Sequence, residues 1–168
     1  MSSQNWSPPK QGDLKCNIGF AWSKHQQLSG ASWVVRDYQG SVLLHSRRSY
    51  TQVHSLANAK FLSWEWALGS MLHQLIIIVL RMCSSAYEMV RALNKPKEWP
   101  AVLGHITELL RFTKDRPNWF VLMEPLQCNK GASKIAESVL TGSRCQSYVA
   151  RGFPQWLKLL FAEERCNT

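Results

Sequence analysis

Residues 29–46 read Ser-Gly-Ala-Ser-Trp-Val-Val-Arg-Asp-Tyr-Gln-Gly-Ser-Val-Leu-Leu-His-Ser, and this stretch decides the fold class. Residues 31–36 and 41–46 have the composition of strands, and the Asp-Tyr-Gln-Gly sequence between them favours a turn. The stretch therefore predicts an antiparallel hairpin. Upstream, apolar and polar residues alternate over residues 14–21, which predicts a preceding strand with one buried face.

Downstream of the hairpin the pattern changes to helices that alternate with strands. Apolar residues recur at helical spacing from Leu56 to His73. The β-branched run at residues 75–82 is typical of a central strand covered on both faces. After it we expect a helix at 86–94, a helix at 98–112, a strand at 118–123, a helix at 130–140 and a tail at 146–164 with an amphipathic piece at 154–161. This order predicts an α/β protein in which an antiparallel meander continues into parallel strands.

The composition bounds the class of protein. The chain has 168 residues, of which 45% are hydrophobic, and this predicts one globular domain with a sizeable core. Twenty Lys and Arg against eleven Asp and Glu give a formal net charge of +9, which favours attraction to polyanions. No apolar run approaches the roughly 20 residues of a membrane span, and no secretory signal is recognisable. We therefore expect an intracellular protein, in the nucleus or the cytoplasm, with no membrane partner.

The cysteines and histidines form no recognisable metal-binding or catalytic motif. Five cysteines occur at irregular separations with no CxxC pair, so we interpret them as free thiols. The five histidines are scattered, and the sequence contains no GxSxG, GxGxxG or P-loop motif. These observations predict no cofactor.

Seven segments, taken together and in order, resemble the ribonuclease H type-1 domain attached to plant non-LTR retroelement reverse transcriptases. The resemblance covers nearly the whole chain. The segments are Trp6-Ser-Pro-Pro before Gly12-Asp-Leu-Lys-Cys-Asn, Ser29-Gly-Ala-Ser-Trp-Val-Val-Arg-Asp with Gly40, Leu43-Leu-His-Ser-Arg-Arg-Ser, Ala59-Lys-Phe-Leu-Ser-Trp-Glu-Trp-Ala-Leu, Leu93-Asn-Lys-Pro-Lys-Glu-Trp-Pro, Asn129-Lys-Gly-Ala-Ser-Lys-Ile-Ala and Gln146-Ser-Tyr-Val-Ala. The resemblance implies an RNase H-like fold with a five-stranded mixed sheet flanked by helices. We expect an N-terminal extension at 1–13, the domain itself at 14–142 and a family-specific tail at 143–168.

The chemistry that the resemblance implies depends on carboxylates. Active members cut the RNA strand of an RNA/DNA hybrid with two Mg²⁺ ions about 4 Å apart, held by four acidic side chains. Carried over residue by residue, those four positions fall on Gly19, Lys60, Ser85 and Ser133. An ammonium beside three uncharged residues would repel Mg²⁺. We therefore predict a family member that has lost metal-dependent hydrolysis, with no catalytic residue intact and no metal site.

The predicted function is nucleic-acid binding without cleavage, to an RNA/DNA hybrid or duplex RNA, weakly and with strong salt dependence. Lys60 is a candidate phosphate contact, although sequence drift after loss of the metal is the favoured interpretation. Asn129, Lys130 and Lys134 would line the same groove at the start of the last family helix. A solvated helix face is the favoured interpretation of the two lysines.

Three further hypotheses stay open from the sequence. The tail carries an apolar face of Trp156, Leu157, Leu160 and Phe161 that would dock a protein partner, provided that it does not pack on its own sheet. Alternatively, the domain is an active RNA-DNA hybrid endonuclease with unexpected metal ligands. The third hypothesis is a retroelement remnant with a fold and no present role.

Overall fold

A computed structural model describes residues 5–74, 79–142 and 145–167. These residues form six strands and five α-helices, joined in places by short 3-10 turns. The strands are β1 (Asp13–Ser23), β2 (Leu28–Arg36), β3 (Val42–Tyr50), β4 (Val79–Ser84), β5 (Trp119–Met123) and β6 (Tyr148–Arg151). The helices are α1 (Leu56–Gln74), α2 (Tyr87–Asn94), α3 (Leu103–Thr113), α4 (Lys130–Glu137) and α5 (Lys158–Cys166).

The strands build one mixed sheet in the order β5-β4-β1-β2-β3-β6. Strands β1, β2 and β3 form the predicted antiparallel meander, and β4 and β5 continue it as parallel strands. The α/β class and the mixed sheet are therefore confirmed. The expectation of five strands is wrong, because a sixth strand, β6, pairs antiparallel to β3. Four residues are too few to show a period-2 pattern, and contacts with β3 fix the strand: the Arg47 guanidinium lies 5.0 Å from the Tyr148 ring centroid.

The start of α3 differs from the sequence expectation. The helix expected at 98–112 begins only at Leu103, because Pro96 and Pro100 open two separate 3-10 turns before it. Trp99 precedes the second proline and has φ −129° and ψ 60°, outside the helical region that a following proline disfavours. The part of the strand expected at 75–82 that falls on residues 75–78 lies outside the described residues.

The helix expected at 130–140 also ends early, at Glu137. The amides of Val139 and Leu140 donate to the carbonyls three residues before them, which is the tightened geometry of a final turn. Val139 is buried at the helical spacing from Ile135 although it lies in this final turn, and so the apolar pattern of the sequence extends past the end of the helix.

The sheet carries a hydrophobic core on each face. Helices α1, α2 and α3 cover one face, where Ile18, Trp33 and Leu68 are fully buried. Helices α4 and α5 cover the other, where Val34, Ile135 and Phe161 meet. Each such side chain contributes roughly 1.5–3 kcal/mol by leaving water. None of the helices in the described ranges is long and apolar enough to cross a membrane.

The tail packs onto its own sheet, which contradicts the docking face expected from the sequence. Leu157 and Phe161 are 5% and 2% exposed in the core beneath α4 and α5, and Leu160 packs against the same cluster. Trp156 remains 45% exposed. The sequence predicts the amphipathic pattern of this piece correctly, but its apolar face is satisfied within the chain.

Candidate nucleic-acid interface

Three of the four family carboxylate positions lie near the carboxyl end of β4, beside the middle of β1; we call all four positions the family site. Gly19 lies within β1, and Ser85 follows β4 directly. The parallel register pairs Ile18 with Ser84, so the next residue of each strand lies at the same level of the sheet. Ser133 lies on α4, which packs across β1 and β2.

Helix α4 packs directly against β1 and β2 at Gly19 and Gly30, which have no side chains. A Cβ atom placed on Gly19 would come within 3.0 Å of the Ala132 carbonyl and 2.6 Å from Ser32 Oγ. One helical turn later, a Cβ on Gly30 would come equally close to the carbonyl oxygen of Ala136. Ser32 donates a hydrogen bond to the Ala132 oxygen, at 2.5 Å. We call these five residues the glycine seam; it fills the space into which a side chain at position 19 would project.

Asn129 ties the start of α4 to the same strand. Its side-chain amide donates to the Ile18 carbonyl oxygen at 2.8 Å, and the residue is 1% exposed. This bond fixes the helix beside Gly19. A side chain buried in this way positions α4, whereas Lys130 and Lys134 on the same helix are exposed.

Lys60 lies on the opposite side of the sheet end, on α1. Its Nζ is 5.6 Å from the ring centroid of Phe20, the residue after Gly19. Lys60 also lines a cavity of about 260 Å³ between α1, α2 and α3, together with Glu88 and His105. The structure therefore places Lys60 beside Phe20, the neighbour of Gly19, on the face of the sheet opposite to α4.

The four residues do not fit the Mg²⁺ ions that the resemblance implies. Mg²⁺ needs carboxylate oxygens in near-octahedral geometry, and these positions supply two hydroxyls and an ammonium. Within residues 5–74, 79–142 and 145–167, no group of three His, Cys, Asp or Glu side chains is arranged to hold a metal. Glu124 follows β5 near Ser84, but its carboxylate accepts from Asn17 Nδ2 at 2.6 Å and pairs with Lys15.

That Glu124 cluster is a polar network that the sequence pattern hides. Alternation along β1 marks Lys15 and Asn17 as the exposed face, yet they are 5% and 3% exposed. The N-terminal segment covers them: Trp6 Nε1 donates to Asn17 Oδ1 at 2.9 Å, and Lys15 Nζ donates to the Ser7 carbonyl. No local signal in the sequence marks a covering segment that lies before the first strand.

Trp6 also covers a buried ion pair between β2 and α5. Arg36 Nη1 lies 2.6 Å from Glu164 Oε2, and both side chains are almost completely buried. The guanidinium is stacked between the Trp6 ring at 4.0 Å and the Phe161 ring at 4.6 Å. Burial lowers the pKa of Arg36, and the neighbouring Glu164 carboxylate opposes that shift. The tail is thus joined to the domain by charge as well as by apolar packing.

Comparisons with known proteins bear on the fold. No family model and no curated protein matches the chain. Among solved structures, LC11 RNase H1, isolated from compost by a metagenomic approach, is 14% identical over 76% of this chain and 95% of its own, with a TM-score of 0.66. LC9 RNase H1 is 11% identical over 95% of this chain and 87% of its own, also at 0.66. LC11 RNase H1 in complex with an RNA/DNA hybrid matches at 0.56, with 16% identity over 75% of this chain and 95% of its own. Together with the strand order, these likenesses identify the fold as that of ribonuclease H1 domains.

Proposed function

We propose that this chain is a nucleic-acid-binding domain with an RNase H-like fold that has lost metal-dependent hydrolysis. The observation that carries the proposal is the state of the four family positions. They hold Gly19, Lys60, Ser85 and Ser133 instead of carboxylates. In addition, α4 stands against Gly19 so closely that a side chain there would collide with Ala132.

The ligand is proposed to be an RNA/DNA hybrid or duplex RNA, held through its phosphates. A net charge of +9 supplies general attraction, and Lys60, Lys130 and Lys134 lie beside the family site. The likeness to LC11 RNase H1 with a bound hybrid supports this ligand class. If about six phosphates are neutralised, affinity falls roughly a thousandfold between about 50 and 200 mM salt.

The first test is a titration of a short labelled RNA/DNA hybrid with purified protein at low and moderate salt, with and without Mg²⁺. We expect salt-sensitive binding that Mg²⁺ does not strengthen, and an intact RNA strand on a denaturing gel. Absence of binding at low salt refutes the binding function. Mg²⁺-dependent cleavage refutes the loss of hydrolysis and favours an active endonuclease with unexpected ligands.

A protein-interaction module and a remnant without present role have less support. A protein-interaction role for the tail has less support because three of its four apolar residues pack in the core of the domain and are not available to a partner. A remnant predicts no binding above that of any protein of the same charge. A plant retroelement origin and the domain limits of 14–142 remain part of the proposal, supported by the seven sequence segments. An intracellular location also remains part of the proposal.

A further inference from the structure

A second pocket lies away from the family site, between the second half of α1 and strands β2, β3 and β6. Its volume is about 380 Å³, and its wall includes Arg48, Tyr50, Glu65, Trp66 and His73. Its lining on α1 starts at Glu65, about 7.5 Å along the helix from Lys60, and none of its residues lines the cavity at Lys60. The pocket is therefore separate from the family site.

The pocket brings a cation and an anion to one aromatic surface without pairing them. The Arg48 guanidinium lies 4.6 Å from the Trp66 ring centroid and 5.0 Å from that of Tyr50. Neither Arg48 nor Glu65 forms an ion pair with any residue in the described ranges. Both charges act on the Tyr50 hydroxyl, because Arg48 lowers and Glu65 raises its pKa while burial raises it most.

The wall holds one more unused donor. Trp33 lines the pocket, and its buried indole N–H has no hydrogen-bond partner within the described part of the chain. The Trp66 indole, in contrast, donates to Ser46 Oγ at 3.0 Å. A ligand here thus meets guanidinium and indole donors, a carboxylate acceptor, and flat aromatic and guanidinium surfaces.

These features select one class of ligand. A simple phosphate would be attracted by Arg48 and repelled by Glu65. A simple cation would be attracted by Glu65 and repelled by Arg48. A guanine base satisfies both, because its O6 and N7 accept from arginine while its N1–H and N2–H₂ donate to a carboxylate. Adenine has a single amino group on its Watson–Crick edge and cannot give a carboxylate two parallel hydrogen bonds. Unpaired bases also stack on aromatic rings and guanidinium planes, and the volume suits a nucleoside.

We propose that this pocket binds a guanine base, either of a free nucleotide or of an unpaired nucleotide in a strand. Glu65 accepts from the base edge, Arg48 donates to it, and the rings of Tyr50 and Trp66 hold the plane of the Arg48 guanidinium. The pocket does not require hybrid binding at the family site, so either site functions without the other.

The test uses ¹⁵N-labelled protein and follows the indole N–H signals during titration with guanosine monophosphate. We expect the Trp33 and Trp66 signals, assigned from Trp33→Phe and Trp66→Phe spectra, to shift with saturation while the Trp64 and Trp119 signals stay. Adenosine monophosphate carries the same phosphate and should bind about tenfold more weakly or worse. Glu65→Gln should weaken the binding of guanosine monophosphate by a similar factor. The matched change Glu163→Gln, on the exposed face of α5, should leave that binding unchanged.

Oligothymidylate with and without one central guanine distinguishes the two sources. Tighter binding of the guanine-containing strand, lost in Glu65→Gln, identifies an unpaired nucleotide in a strand as the ligand. Binding of guanosine monophosphate with no such gain identifies the free nucleotide. Equal binding of both mononucleotides, or no shift of the two indoles, overturns the proposal. The hybrid titration is repeated with Glu65→Gln, which should not weaken hybrid binding because it removes a negative charge, so failure of either site is seen separately.

Discussion

The carbonyl of Ala132 on α4 occupies the space in front of Gly19 on β1, within 3.0 Å of where a Cβ atom would stand. In the family that this chain resembles, that position of the strand carries an acidic side chain. Here the carbonyl occupies the space of a side chain, and Ser32 donates to the same carbonyl. An acidic residue at position 19 would therefore require α4 to move away from β1.

Gly19→Ala should destabilise the protein, because even one methyl group collides with backbone atoms that cannot rotate away. Overpacking of this kind costs about 1–3 kcal/mol in the free energy of unfolding, measured by urea denaturation. The control is Gly104→Ala: a Cβ there, on α3, meets nothing within 4 Å. That substitution should be neutral or stabilise by up to about 1 kcal/mol, as alanine does in a helix. Equal stability of Gly19→Ala and the wild type would contradict the seam.

Lys60→Gln should weaken binding of an RNA/DNA hybrid and reduce its salt dependence by about one unit of the log–log slope, as the loss of one phosphate contact requires. Lys158→Gln removes an exposed charge from α5, on the other side of the sheet, and should change the slope less. Anisotropy titrations over a series of salt concentrations give both slopes. Identical slopes for the two variants would favour drift as the explanation of Lys60.

Trp6→Ala should be strongly destabilising although Trp6 precedes every strand. Its indole stacks on Arg36, bonds to Asn17 and is 2% exposed. Truncation of a buried tryptophan typically costs about 3–5 kcal/mol. Trp156→Ala is the matched control, and because Trp156 is 45% exposed it should cost about half as much as Trp6→Ala by the area that it buries. Comparable losses in the two variants would show that the N-terminal segment adds little to the fold.

The sequence predicts some features of this chain well and others not at all, for physical reasons. The meander and helix α1 follow from local periodicity, whereas the assignment of the four site positions rests on motif matching and stays a prediction. Strand β6 escapes because four residues carry no readable period. Lys15 and Arg36 look like surface residues, since their burial depends on a distant segment and on partners more than a hundred residues away. The pocket at Arg48 and Glu65 is not predictable from the sequence either, because its side chains come from β3 and α1 and belong to no common motif.

The stability of the protein should fall between pH 9 and pH 12 through the buried thiol of Cys83. Burial raises the pKa of Cys83 to about 12 from 9.0, so the folded state keeps its proton while the unfolded state loses it. The unfolded state then binds fewer protons, and the free energy of unfolding decreases as the pH rises, by up to about 1.4 kcal/mol per pH unit. Urea midpoints at pH 8 and pH 10.5 measure the loss.

Lysines and tyrosines also titrate in this range, so the dependence of the unfolding free energy on pH is compared between variants. It should be shallower in Cys83→Ala and should match the wild type in the exposed control Cys145→Ala. A Cys83→Ala slope equal to that of the wild type would mean that the thiol ionises as readily in the folded state as in the unfolded one.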